Sequence, residues 1–128
     1  SAGEVVSRLS QGGLREPAIV AGLLNLKEVK EPISSEFIVP FLRNPSSAVK
    51  KSGIQILPQL INQEGSDIVE TLKNLLNDRD PSVRYETVLV LREIKFEELL
   101  NDLIFLEKQE TVPAVKAEIE KTINSYES

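Results

Sequence analysis

Apolar residues recur along this chain in runs of helical period, each broken by a short polar turn. Ile68, Val69, Leu72, Leu75 and Leu76 stand one, three and four residues apart, the spacing that lines one face of an α-helix. The turn Asn77-Asp78-Arg79-Asp80 follows, and Asp80-Pro81 restarts the chain. Asp80 has an N-cap side chain, and Pro81 takes the first helical position, where its missing N–H costs nothing. Val83, Thr87, Val88, Val90, Leu91 and Ile94 then mark a second helix. With Ser66 as the first N-cap, the stretch 65–95 predicts one antiparallel helical hairpin.

The same order of run, turn and run appears three more times. The stretch 33–62 carries Phe37, Ile38, Phe41 and Leu42, the turn Arg43-Asn44-Pro45-Ser46, then Val49, Ile54, Ile56, Leu57, Leu60 and Ile61. The stretch 96–127 carries Leu99, Leu100, Leu103, Ile104 and Leu106, a turn at Gln109-Glu110-Thr111, then Val115, Ile119 and Ile123. The stretch 1–30 has a shortened first run of Val5, Val6 and Leu9 before Gln11-Gly12-Gly13, and Pro17 leaves the start of its second helix open. Pro40 and Pro58 fall inside expected helices and predict bends, because each removes a backbone donor and crowds the carbonyl four residues back.

An aliphatic residue followed at once by a cation punctuates these copies: Leu14-Arg15, Val49-Lys50, Val83-Arg84 and Val115-Lys116. Their aliphatic members stand 35, 34 and 32 residues apart. A period of this size predicts a stacked array in which each small unit buries its apolar face on the next, so residues 1–128 read as one domain.

The phrase from Leu75 through Asn77, Asp80, Pro81 and Val83 to Arg84, with the apolar run ending at Leu91, resembles the HEAT repeat in its short form. Tetratricopeptide and ankyrin repeats have similar periods, but the chain has no Trp, no Leu-Gly with a spaced Tyr and no Thr-Pro-Leu-His. The resemblance implies an all-α, right-handed α-solenoid of stacked antiparallel helical hairpins, about three complete and one truncated. It also implies that the turn Asp and the following Arg link neighbouring repeats. The turn position of Asp80 is Ser46 and Val112 in the flanking copies, a departure from that pattern.

Stepping about 100° per residue from Arg84 places it on the arc of Val83, Thr87, Val88, Val90, Leu91 and Ile94, the packed side of its helix. A cation there needs a partner. Asp80 or Asp78 of the same turn, or Asn44 and Glu110 of the adjacent turns, are the candidates. Lys50, Asp80, Arg84 and Lys116 therefore read as a structural ladder between repeats, against the alternative of a basic groove for an acidic peptide or a phosphate.

The opposite arc holds Tyr85, Glu86, Leu89, Arg92 and Glu93. Its counterparts are Lys51, Ser52, Gln55 and Gln59 in the second copy, and Ala117, Glu118, Lys121 and Ser125 in the fourth. Partners commonly dock on this helical face of a solenoid, and Tyr and Arg are enriched at interface hot spots. Lys51, Gln55, Tyr85, Leu89 and Arg92 are the candidate partner-binding residues. Val20, Leu23 and Leu24 occupy the same arc in the first copy and predict an exposed aliphatic cluster, and with it further repeats before residue 1. The polar last helix predicts a capping unit at the other end.

Composition narrows the chemistry. The 128 residues include 15 Lys and Arg against 20 Asp and Glu, a net charge of −5, which repels a phosphate backbone. No nucleic-acid partner and no membrane insertion are expected. There is no Cys and no His, so thiolate ligands, imidazole bases and triads built on them are absent. Glu97-Glu98 and the pair Glu118 and Glu120 fall on expected solvated faces, Ser34-Ser35 and Ser46-Ser47 at helix starts, and Gly12-Gly13 lacks a following Lys-Ser or Lys-Thr. No cofactor, metal or catalytic residue is expected.

The leading reading is a non-catalytic module that binds another protein or another domain of its own chain, with the cytoplasm the favoured compartment. Two alternatives follow from the resemblance. One is an accessory or lyase-type subunit that helps modify a protein partner. The other is a nucleic-acid-binding domain, against which the net charge speaks.

Overall fold

The computed structural model describes residues 1–62, 65 and 67–128, together with the Ser66 backbone, and the described residues contain eight α-helices and no β-strand. The chain divides into two compact units, Ser1–Glu64 and Gly65–Ser128, each built from two helical hairpins.

In the first unit, α1 (Ala2–Gln11) and α2 (Glu16–Val29) form one hairpin, and α3 (Ser35–Leu42) and α4 (Ser47–Gln55) the next. The turn after α1 passes through Gly12 and Gly13 at φ 76° and 77°, a left-handed conformation that glycine adopts without a Cβ penalty. Ser34 and Ser46 cap α3 and α4, their hydroxyls accepting from the N–H of Phe37 at 3.1 Å and of Val49 at 3.3 Å. Helix α4 packs on both α2 and α3. Gly53 permits the close approach to α3, since a Cβ there would lie 3.1 Å from the tip of Leu42. Leu23, Leu26, Ile38, Leu42, Ile54, Ile56 and Leu57 are fully buried.

In the second unit, α5 (Ser66–Leu76) and α6 (Pro81–Glu93) form the third hairpin. A single 3₁₀ turn (Glu97–Leu99) leads to α7 (Leu100–Gln109) and α8 (Pro113–Glu127). Asp80 caps α6, its Oδ1 accepting from the Ser82 N–H at 2.8 Å, and Pro81 and Pro113 each open a helix. The N-cap position of α5 is Gly65, and the capping expected of the Ser66 side chain lies outside the described residues. The two second helices, α6 and α8, share the most extensive packing of the unit. Val83, Thr87, Val88 and Leu91 of α6, and Ile119 and Thr122 of α8, are fully buried.

Four expectations are corrected. Pro58 does not bend a long helix: α4 stops at Gln55, and Pro58 is the middle residue of a 3₁₀ turn, Leu57–Gln59. The expected arc beyond Gln55 dissolves accordingly, and Ile61 is 72% exposed. The pair Leu14-Arg15 does not belong to the series, because Arg15 is the N-cap of α2 whereas Lys50, Arg84 and Lys116 are each the fourth residue of their helix. Finally, Leu23 is wholly buried in the first unit, so no aliphatic cluster of Val20, Leu23 and Leu24 faces solvent; Leu24 alone is substantially exposed.

Candidate partner-binding face

Helix phase and the position of the next turn together decide which charged residues are consumed internally. Arg84, in the first turns of α6, reaches the loop between α7 and α8. Its Nε donates to Glu110 Oε1 at 2.8 Å and its Nη2 to Glu110 Oε2 at 2.9 Å. Nη1 donates to the backbone carbonyls of Asp78 at 2.8 Å and Arg79 at 3.3 Å. The Glu110 side chain is 1% exposed and also accepts from the Thr111 and Val112 N–H groups, so it caps the turn that starts α8. The Arg84 N–H groups hold the Glu110 carboxyl below the usual carboxylate range; burial opposes them, and the backbone N–H groups add to them. The Glu110 hydrogen bonds raise the Arg84 pKa in turn, helped through space by Asp78 and Asp80.

A second pair joins α6, two turns further along, to α8. Arg92 Nη2 donates to Glu118 Oε2, and Lys121 Nζ lies 3.5 Å from Glu118 Oε1. The Arg92 hydrogen bond holds the Glu118 carboxyl below its ordinary value. Arg92 is therefore engaged inside the unit, and Glu118, expected on a solvated face, keeps only 15% of its side chain exposed. Both ions of each pair sit on neighbouring hairpins, 26 residues apart in sequence.

The C-terminal ends of two second helices are closed by a side chain from the following hairpin. Tyr126, 8% exposed, donates its hydroxyl to the Leu91 carbonyl at 2.7 Å and accepts from the Phe96 N–H at 3.0 Å. Burial raises its pKa above the ordinary tyrosine value. Gln59 plays the matching part in the first unit, its Nε2 donating to the carbonyls of Leu26 at 2.9 Å and Glu31 at 2.7 Å. Leu26 and Leu91 each stand eleven residues after their helix's N-cap, so the two clips occupy equivalent places. Periodicity does not reveal either one. The sequence signal for the first is a Tyr near the end of a mostly polar helix, and helical phase alone puts Gln59 on the solvated arc.

The remaining candidates divide by unit. On the second unit, Tyr85 and Leu89 stand one turn apart on α6, both half-buried, and the Tyr85 hydroxyl makes no hydrogen bond among the described residues. On the first unit, Lys51 and Gln55 hold the same positions along α4, five and nine residues after the N-cap, and Gln55 Oε1 accepts from Lys27 Nζ at 3.2 Å. Ser52, expected beside them, is buried and donates to the Ala48 carbonyl at 2.8 Å. Of the ladder residues, Lys50 is half-buried, Asp80 serves as the α6 cap, and Lys116 is exposed with no ion pair among the described residues. No group of three or more His, Cys, Asp or Glu suited to a metal ion occurs among the described residues, and no helix there is long and apolar enough to cross a membrane.

The family model described as HEAT repeats matches residues 35–124, more than two thirds of the chain. No curated protein and no solved structure matches the chain.

Proposed function

The chain belongs to the HEAT-repeat family, and on that premise we propose that it is a non-catalytic interaction module that binds a protein partner, or another domain of its own chain, on the surface of its second helices. HEAT repeats are in general protein-interaction scaffolds. The observation that carries the finer reading is the contrast between the two tyrosines. Tyr126 is buried, with its hydroxyl spent on Leu91 and Phe96, whereas Tyr85 is half-exposed with an unspent hydroxyl and Leu89 one turn away. An aromatic ring with a free polar tip beside an aliphatic side chain is the composition of an interface hot spot. Arg92 flanks it, held in place by Glu118 so that its orientation needs no ordering on binding. Lys51 and Gln55 are the corresponding contacts on the first unit.

The test replaces Tyr85 by a photo-crosslinking phenylalanine derivative and, separately, makes the double variant Tyr85→Ala, Leu89→Ala. Crosslinking of a partner from native extract, together with about tenfold weaker capture by the double variant, is the expected result. Undiminished capture by a double variant with an unchanged circular dichroism spectrum moves the interface elsewhere.

A further inference from the structure

The first unit contains an open groove of about 400 Å³ that the internal packing leaves unfilled. Helix α5 packs directly on α7 in the second unit, but the equivalent first helices α1 and α3 scarcely touch. Between them, the end of α1 and the Gly12-Gly13 turn make one wall, and the Phe37 and Phe41 rings make the other. The two rings lie 5.2 Å apart at a tilt of 55°, and Leu9, Leu14 and Ile19 supply aliphatic surface. The turn cannot close the space itself, because neither glycine carries a side chain and a Cβ on either would meet nothing within 4 Å.

Three polar groups in the lining are unspent, the exposed Ser10 hydroxyl among them. Glu36 is its one charged residue; it is exposed in the first turn of α3 and makes no hydrogen bond or ion pair among the described residues. Asn44 uses its Oδ1 to accept from the Ser46 N–H at 2.9 Å, which leaves its NH₂ as a donor. An apolar slot of this volume with a few convergent polar groups has the make-up of a ligand site. An aromatic wall beside a lone carboxylate suits a cation, through the ring faces as well as through charge.

We propose that this groove holds an extended segment of a partner protein, an aromatic or branched aliphatic side chain filling the slot and an adjoining Lys or Arg facing Glu36. The Asn44 NH₂ donates to a carbonyl of the segment. The proposal rests on the reading of the chain as a protein-binding module, but the site is separate from Tyr85 and Leu89, so each can fail without the other.

The experiment titrates the isotope-labelled full chain with the peptide acetyl-Gly-Phe-Lys-Gly-amide and with its counterpart carrying Glu in place of Lys, following backbone amide shifts. The Lys peptide is expected to shift the amides of Gly12, Gly13, Glu36 and Phe37 at concentrations up to about 5 mM, a range suited to so short a ligand. The Glu peptide binds about tenfold more weakly. Glu36→Gln weakens the Lys peptide about threefold, the range of an exposed ion pair, and narrows the gap between the two peptides. Four results overturn the proposal: no shifts, shifts centred on Tyr85, equal binding of the two peptides, or a dimer of the chain that is lost in Phe105→Ala and covers the groove. The last result would give the slot to the exposed Phe105 of a second copy.

Discussion

The Arg84 guanidinium and the Glu110 carboxylate meet as a two-pronged pair, Nε to Oε1 at 2.8 Å and Nη2 to Oε2 at 2.9 Å, and so tie α6 to the turn that begins α8. The geometry matters because Glu110 is almost wholly enclosed, and a planar fork satisfies both of its oxygens at once.

Arg84→Ala is expected to cost about 2 kcal/mol, the price of leaving an enclosed carboxylate without its main donors. Arg92→Ala removes a more exposed pair and is expected to cost less than about 1 kcal/mol. Urea unfolding of the two variants checks the order; equal losses would mean that Glu110 is rescued by its backbone donors alone.

Acid should release the same ties. Glu110 and Glu118 both have folded-state pKa values below the ordinary one, so the stability they contribute is present above the unfolded glutamate value of about 4.3 and is lost as pH falls through the lowered values. The difference in thermal midpoint between the wild type and Glu110→Gln is therefore expected to shrink steadily as pH is taken from about 5 to about 2. A gap that stays constant across that range would contradict the assignment.

Tyr126→Phe leaves the Leu91 carbonyl and the Phe96 N–H without their shared partner in a buried place, and about 1–2 kcal/mol of stability is expected to go with it. Tyr85→Phe should change stability by less than about 0.5 kcal/mol. The folded-state pKa of Tyr126 is raised, so its contribution holds below the unfolded value of about 10 and fades as pH rises through the folded one. Unfolding of the two variants at neutral pH, and of wild type and Tyr126→Phe across the alkaline range, tests both statements.

Gln59→Ala opens the clip on the end of α2. Ile33 and the segment after α4 are joined by Ile33 N–H to Gln59 O and Ile61 N–H to Ile33 O, both 2.9 Å, and these bonds lie beside the Gln59 contacts. Hydrogen exchange at the Ile33 and Ile61 amides is expected to accelerate about fivefold, as a local loss of about 1 kcal/mol implies. Exchange that quickens equally in α6 would point to global rather than local loosening.

The hairpins themselves were legible in the linear chain. Ser34, Ser46, Asp80 and the prolines at 81 and 113 act within three residues of where they stand, and the 3.6-residue period of Ile68 to Leu76 or Val83 to Leu91 needs only the backbone helix to express it. Position in the chain was also enough to place Arg84 on the packed side of α6. It was not enough to choose among Asp78, Asp80, Asn44 and Glu110 as its partner, or to show that Arg92 would be held by Glu118. Those choices join residues 26 positions apart, and they depend on how far along α6 the next hairpin seats itself.

The first copy shows the same division. Leu14-Arg15 has the composition of the later pairs, yet the true start of α2 puts Arg15 at the N-cap, four positions out of register. Pro58 could bend a helix or stand beyond its end, and the Ile33–Leu60 bridge goes with the second outcome. The sequence by itself determined the number and order of the helices and the apolar faces of α5 and α6, because these follow from neighbours within a turn or two. Only the tertiary structure decided which Tyr became a clip, which carboxylate became a staple and which apolar slot stayed open, because burial and hydrogen bonding across hairpins depend on packing that no local pattern contains.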